Sequence, residues 1–358
     1  MDVVHLIDDL PTGGAQSLLL DLVSNTSEEH TVYYIGERDQ MRPAIEQYAD
    51  VSGFGGQFRF DPRATSKFVG TMVKRRPDVL HTHLPYAHIV GRWAQPFVGG
   101  IVATYHNVSQ NYFKDWKLSS LEHLTGSLDD VKVACSHGVR ASYDRDNNTW
   151  QTIPNGIDVD GFAHRVRKSN TTWLRELYQI DSDAPILLSI GRYVPQKKQA
   201  VLIRAMEQIV ENQPEIHLLI VGRGPLEEQL RSKVQESGLE ENITITGRVD
   251  DIHAHYALAD IFVLPSEFEG LPITILEAMT ARCTIIASDI PGVREVITDG
   301  ETGILVQPES VDSLAEGIHS ALNERSERYV DSGTERVQAE YSIERMVNDY
   351  ERLYARLA

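Results

Sequence analysis

Two doubly wound α/β domains on parallel sheets, followed by a helical tail, are the architecture that the sequence predicts. Three observations predict it. Short apolar runs of about five residues alternate with amphipathic stretches almost from end to end, which is the rhythm of βαβ units. The 358 residues exceed one ordinary core and suit two domains. The rhythm lapses between Asp158 and Asp183 and again after about Ser326.

In the first half the strand candidates are "VVHLI", "TVYYIG", "DVLHTH", "IVATYH" and "VKVACS", with helix-like "AQSLLLDLV" and "HIVGRWAQPF" between them. In the second half "PILLSIGR", "IHLLIVG", "NITITG", "IFVLPS", "TIIASD" and "GILVQP" repeat the pattern around "KQAVLIRAMEQIVEN" and "PLEEQLRSKVQES". The Arg-rich stretch before the short helix "TWLRELYQ" reads as a linker. The expected organisation is a domain over 1–165, a linker over 166–183, a second domain over 184–335 and a C-terminal helix over 336–358. In that last segment Ile343, Met346, Val347, Tyr350, Leu353, Tyr354 and Leu357 share one helical face, expected to pack back on the first domain. Ligands of such sheets bind beyond the carboxyl ends of the strands, which points to a cleft between the domains.

Composition narrows the function. A formal net charge of −18, from 52 acidic against 34 basic residues, disfavours general nucleic-acid binding. Cys135 and Cys283 stand beside apolar runs and read as buried thiols of a reducing compartment. The sequence shows no signal peptide and no apolar run long enough to span a bilayer, so a cytoplasmic protein is expected.

Candidate chemistry gathers at predicted strand ends. "PSEFEGLPITILEAM", Pro265–Met279, sets Glu269 in a loop and Glu277 on the helix that Leu271 or Pro272 opens. Carboxylates there could bind hydroxyls, hold a metal, run acid–base chemistry or face water. In "SIGRYVPQKKQAVLIRA" a strand ends at Gly191, and Arg192, Lys197 and Lys198 flank a loop before a helix. Two cations beside free helix N–H groups suit a diphosphate, or are solvated surface charges. Gly13 and Gly14 open the first helix, another place for an anion or plain turn chemistry. Neither they nor "VGRGPLEE" at Gly222 complete a G-x-G-x-x-G dinucleotide fingerprint. His106 closes a strand. His81 and His83 share a strand face, but no carboxylate stands at ligand spacing, so no metal is expected. No cofactor is expected either.

These residues occur in motifs that resemble the retaining GT-B glycosyltransferases of family 4, the glycosyl transferases group 1, nearly end to end. "PSEFEGLPITILEAM" fits that family's Glu-x7-Glu signature, with Pro272 where Gly is frequent. "GGAQ", "DVLHTH", "TYHN", "IPNGID", "GRYVPQKK", "VGRGP", "LADIFVLPS" and "PGVREVITDGETGILVQP" follow in the family's order. The resemblance implies a GT-B fold and sugar transfer from a nucleotide-sugar donor (UDP-, GDP- or ADP-sugar) to a hydroxyl of a glycan or lipid-linked acceptor. It implies retention of anomeric configuration and no metal ion. Glu277 would grip the ribose, Glu269 the transferred sugar, and Arg192 with Lys197 the leaving diphosphate. His106 would reach the donor sugar or the reacting centre. Gly13, Gly14, Gly222, Arg248, Val249, Gly270, Leu271 and Pro272 would complete donor binding. Lys198 stands where relatives often have Gly or Asn, so the Lys assignment could shift by one.

Other readings are a nucleotide-sugar 2-epimerase, a phosphorylase, a non-catalytic binder and an NAD oxidoreductase. The phosphorylase lacks a signal for its pyridoxal lysine, and the oxidoreductase lacks the glycine fingerprint. "PRATSKFVGTMVKRRP" is basic and amphipathic, which suits either an anionic membrane surface or a buried face with cations at a helix end. "QNYFKDWKL" reads as an acceptor loop.

Overall fold

The computed structural model describes residues 1–58, 60–108, 116–143, 149–323 and 327–358. The chain forms two compact units: Met1–Gly156 with Ile343–Ala358, and Ile157–Ser342.

The first unit is built on a seven-stranded sheet of β1 Asp2–Ile7, β2 Glu29–Tyr34, β3 Asp50–Gly53, β4 Val79–His83, β5 Gly100–Tyr105, β6 Val131–Ala134 and β7 Trp150–Thr152. Their order is β3-β2-β1-β4-β5-β6-β7, all parallel. The second unit has β8 Ile186–Ile190, β9 His217–Val221, β10 Ile243–Gly247, β11 Ile261–Leu264, β12 Thr284–Ser288 and β13 Ile304–Val306, in the order β10-β9-β8-β11-β12-β13, also parallel. The expected strands are all present. β3 and β7, which were not expected, are short edge strands of polar sequence, "DVSG" and "WQT", with too little apolar signal to be seen in advance.

Central strands are apolar throughout because helices cover both of their faces. β5, β9 and β12 are buried at every position. The C-terminal helix Ile343–Leu357 buries Ile343, Met346, Val347, Tyr350, Leu353 and Tyr354. It packs in one cluster with Val3, Val79, Val102 and Val133 from four strands of the first sheet. Each such side chain contributes about 1.5–3 kcal/mol by leaving water, which ties the chain's last helix to its first domain.

The residues expected to form a linker, 166–183, lie inside the second unit. Helices Val159–Lys168 and Thr172–Leu177 place Val166, Leu174 and Ile180 in the same core cluster as Phe262, Leu276 and Tyr256. The units divide earlier, between Gly156 and Ile157. The linker-like look comes from the outer faces of these short helices, where Arg165, Arg167 and Lys168 are exposed. Both cysteines are free and buried, and burial pushes the Cys283 thiol up to about 12.

Two buried polar assemblies mark the first unit. Arg92, closing helix Pro85–Arg92, is 1% exposed. Its guanidinium donates to Asp129 at 2.8 and 2.6 Å and to Glu122 at 2.6 and 2.9 Å, and the Tyr105 hydroxyl donates to Glu122. The cation therefore exchanges its water shell for two carboxylates. The second assembly is a set of imidazoles. His5, His81, His83 and His88 are fully buried and His30 nearly so. Burial, the largest cause in each case, lowers all their pKa values, His30 to about 4 and His88 to about 3.

Removing one partner of the Arg92 assembly leaves a buried charge unmatched. Asp129→Ala is expected to destabilise the protein by about 3–5 kcal/mol, read from denaturant midpoints. Folded-state histidine pKa values below the unfolded 6.5 mean that the unfolded chain binds more protons as pH falls. Unfolding free energy is therefore expected to be highest above about pH 6.5 and to fall towards about pH 4. By pH 5 the loss is on the order of 2 kcal/mol for each ring held neutral. Urea unfolding that is flat across this range would refute the buried neutral cluster.

Candidate active site

Each sheet reverses its winding at one place: between β1 and β4 in the first unit, and between β8 and β11 in the second. Loops leaving the carboxyl ends of the two strands there run to opposite faces of the sheet, which opens a crevice. The residues expected to carry chemistry in the second unit stand mainly on the two loops that leave β8 and β11.

After β8 the chain runs Gly191-Arg192-Tyr193, makes a short turn over Pro195–Lys197 and starts helix Gln199–Val210. Lys198 has φ 49°, the left-handed region, and this sends the two neighbouring lysines in different directions. Lys197 Nζ lies 2.6 Å from Glu269 Oε1, with side chains 17% and 9% exposed. Lys198 Nζ instead pairs with Glu267 at 3.1 Å and Glu309 at 3.0 Å. The sequence left the choice of lysine open by one position, and the geometry puts Lys197 on Glu269. Arg192 is exposed and without an ion pair among the described residues.

The two loops are lashed together beside that ion pair. Gln196 Nε2 donates to Phe268 O at 2.8 Å, and Glu267 N donates to Gln196 O at 2.9 Å. Gly292, in the "PGVR" turn after β12, presses on the backbone of the same loop. A Cβ there would lie 2.4 Å from Gly270 O and 2.5 Å from Glu269 O, so only glycine lets the two segments approach this closely. Pro272 is the N-cap of helix Ile273–Thr280, one residue before its first turn. The helix has no side-chain cap and no acid in its first turn, leaving backbone N–H groups directed at the crevice mouth. Glu277 stands on this helix, where the buried Tyr256 hydroxyl donates to its Oε2 at 2.6 Å. That bond fixes the orientation of the carboxylate.

Gly222 follows β9 with φ +155°, and a Cβ would lie 1.9 Å from Gly191 O. This close packing seats the β8 loop on the β9 loop. Tyr193 is fully buried beneath it, donating through its hydroxyl to Ile220 O at 2.9 Å and accepting from Gly247 N at 3.3 Å. Arg248 is exposed just beyond β10. Val249 is partly buried against the unit's core.

In the first unit Gly13 is the extended N-cap of helix Gly14–Ser24, again with neither a capping side chain nor an early acid. A Cβ on Gly14 would meet nothing within 4 Å, whereas one on Gly13 would press on the Gln16 side chain, 2.8 Å from its Oε1. The pair's open backbone faces the space after β1. His106 follows β5 with its ring half-buried, and its Nε2 lies 3.3 Å from His83 Nδ1. Burial lowers its pKa to about 4, so the ring is neutral near pH 7. His5, His81 and His83 each bring a nitrogen within 4.8 Å of the others. A divalent ion there would have to displace the hydrogen bonds those rings already make. Most of the expected loop "QNYFKDWKL" lies outside the described residues, which resume at Trp116, the start of helix Trp116–Thr125.

Tyr256, Gln196 and Gly292 were not singled out from sequence. Gln196 and Gly292 lie inside the motifs "GRYVPQKK" and "PGVREVITDGETGILVQP" without being singled out there, Tyr256 lies in none, and each matters through what the fold sets beside it.

Comparison with known proteins bears on the same residues. Residues 172–336 match the family described as glycosyl transferases group 1, and residues 12–160 that described as Glycosyltransferase Family 4. Over 303 residues the chain is 32% identical to the phosphatidyl-myo-inositol mannosyltransferase of Mycobacterium leprae, covering 80% of this chain and 76% of that protein. The alpha-D-kanosaminyltransferase of Streptomyces kanamyceticus is 33% identical over 188 residues, 51% of this chain and 48% of that one. Among solved structures, Anabaena Alr3699/HepE in complex with UDP-glucose matches with a TM-score of 0.87 at 20% identity, over 99% of this chain and all of that one. Sucrose-phosphate synthase from Thermosynechococcus elongatus matches at 0.82 and 22% identity, over 100% of this chain and 99% of that one. These structural likenesses agree with the two parallel sheets in giving a GT-B fold. Fold, motifs and relatives together place the chain in the family 4 glycosyltransferases.

Proposed function

We infer that the protein transfers a hexose or related sugar from a nucleotide-sugar donor to a hydroxyl acceptor, with retention of configuration and without a metal ion. The observation that carries this reading is the Lys197–Glu269 contact at the strand reversal of the second sheet. It puts an ammonium and a hydroxyl-accepting carboxylate side by side. Lys197 has three N–H donors, one of them directed at Glu269, so others remain for diphosphate oxygens. Together with the exposed Arg192 it supplies the positive charge that a leaving nucleoside diphosphate needs, which is the part a divalent ion plays elsewhere.

In this reading Glu277, held by Tyr256, accepts from the ribose hydroxyls, and Glu269 accepts from the transferred sugar. Gly270 and Leu271 present backbone N–H groups to the donor phosphates, Pro272 shapes the turn that carries them, and Gly13, Gly14, Gly222, Arg248 and Val249 contact the donor's remaining parts. His106 contacts the sugar or the reacting centre. The acceptor hydroxyl attacks from the face the diphosphate leaves, and a departing phosphate oxygen takes its proton. The named relatives are transferases, which favours transfer over 2-epimerisation. A mycobacterial relative is described as GDP-mannose-dependent, so GDP-mannose is the first donor to test, beside UDP- and ADP-sugars.

The acceptor in this reading is a glycan or a lipid-linked saccharide, reached from the cytoplasmic face of a membrane. No described helix is long and apolar enough to cross a bilayer, so association would be peripheral. Helix Pro62–Arg75 spends Phe68 and Met72 on the core and Arg75 on Asp2. It leaves Arg63, Lys67, Lys74 and Val73 exposed, with Phe58 63% and Trp93 48% exposed in the same unit. A groove of about 420 Å³ lined by Pro62, Thr65, Ser66, Val69 and Trp93 lies along it. Cations around apolar side chains suit an anionic lipid surface.

A thermal-shift screen of UDP-, GDP- and ADP-sugars is expected to single out one donor. The product should keep the donor's anomeric configuration by NMR and form undiminished in chelator. Lys197→Ala should lower kcat by about 100-fold and Glu269→Ala should act mainly on kcat. Glu277→Ala should act mainly on donor KM, with Tyr256→Phe raising that KM by about tenfold. Equal losses in kcat and KM for both glutamate variants would contradict this division. Co-sedimentation with anionic vesicles should weaken with salt and on reversing charge at Lys67 and Lys74; no binding even at low salt would exclude the membrane surface.

A further inference from the structure

Three neighbouring strands of the second sheet, β10, β9 and β8, each end in Gly-Arg: Gly247-Arg248, Gly222-Arg223 and Gly191-Arg192. The three junctions are knitted into one ledge. Gly191 N donates to Val221 O at 3.0 Å, and Gly222 N donates to Gly247 O at 3.0 Å. Tyr193, fully buried, pins them together. Its backbone N–H donates to Arg223 O at 3.0 Å and its carbonyl accepts from Leu226 N at 3.2 Å. Its hydroxyl accepts from Gly247 N at 3.3 Å. A Cβ on Gly222 would lie 1.9 Å from Gly191 O, and one on Gly224 2.5 Å from Tyr193 O, so glycine is what lets the segments lie this close. Neighbouring strands run about 4.8 Å apart, which sets the three arginines in a row on the order of 10 Å long, beginning beside the β8–β11 reversal.

All three side chains are exposed and make no ion pair or side-chain hydrogen bond among the described residues. Acids on the same loops are engaged elsewhere. Glu227 accepts from Arg231 at 2.9 Å, Glu267 pairs with Lys198 at 3.1 Å, and Asp251 accepts from Ala254 N at 3.0 Å. Like charges on neighbouring strands repel one another, so an anion laid along the row relieves them. In a chain of net charge −18 the row is a local reversal of sign, and it stands at the sheet edge where ligands of doubly wound sheets bind. The surrounding field turns an anionic ligand away; the ledge attracts it.

Arg192 and Arg248 already have parts in the donor site proposed above, and Arg223 stands between them without one. Lys197 shares its charge with Glu269 at 2.6 Å, so Lys197 and Arg192 answer only part of a diphosphate's charge. A guanidinium fork can hold two phosphate oxygens at once. We propose that Arg223 binds the donor's diphosphate together with Arg192, and that the row of three guanidinium groups draws the nucleotide in by its charge. The inference rests on the donor site proposed above.

The test is calorimetric titration of the chain with GDP, UDP and ADP across a series of NaCl concentrations, pursued with whichever binds most tightly. Arg223→Ala removes an exposed side chain that the fold does not use, so Tm should not change. Its Kd is expected to rise about tenfold at low salt and to depend less steeply on salt. Arg223→Lys keeps the charge without the fork and should keep the salt dependence while recovering part of the affinity. Lys233→Ala, in the last turn of helix Glu227–Glu236, should change neither. Arg223→Ala binding as tightly as the unaltered chain, with the same salt dependence, would overturn the proposal. So would an equal flattening in Lys233→Ala, since the effect would then belong to overall charge. Lost binding in Lys197→Ala and Arg192→Ala beside an unchanged Arg223→Ala would refute the part given to Arg223 and leave the donor site standing. Full binding in all three variants would overturn the donor site itself.

Discussion

A positive and a negative side chain from two different loops meet at 2.6 Å because β8 and β11 are neighbours in the sheet though far apart in the chain. Lys197 leaves one strand and Glu269 the other, and their contact holds the crevice in shape. Everything nearby serves that arrangement. Gln196 clamps the loops through the backbone, Gly292 lets the next turn press in, and the αL residue Lys198 turns its own ammonium away to Glu267 and Glu309. A largely desolvated ion pair is costly unless each partner is well satisfied, and the clamped loops hold these two partners in register.

The first unit solves a different problem with neutral groups. Its sheet buries imidazoles where β-branched side chains would be ordinary, and most of their nitrogens meet one another, Thr104 or Tyr354 of the last helix. The C-terminal helix is therefore more than a cover of apolar side chains. Its tyrosines supply hydroxyls to the polar interior of the sheet it packs on, and this explains why Tyr350 and Tyr354 rather than two leucines occupy the buried face. Arg92 with Asp129 and Glu122 is the charged counterpart, anchoring helix Trp116–Thr125 to helix Pro85–Arg92 and, through Tyr105, to β5.

Much of this architecture was legible in advance, for identifiable reasons. Eleven strands carried apolar runs long enough to be seen, because a parallel sheet covered on both faces tolerates little else. β3 and β7 were not seen because edge strands as short as these need little apolar surface. The stretch 166–183 looked like a linker since helices of six to ten residues show their charges on most of each turn, and only three-dimensional packing reveals that Val166, Leu174 and Ile180 are core.

The sequence by itself determined the class of the fold, the family, the strand-end positions of Glu269, Arg192 and His106 and the helical position of Glu277, because periodicity and ordered motifs are local properties of the chain. Tertiary structure decided which lysine meets Glu269, that Tyr256 holds Glu277, and that three strand histidines and His106, just after a fourth strand, stand in one line. Those facts depend on strand order and register, which bring together residues as distant as His5 and His83. No spacing along the chain encodes such a distance.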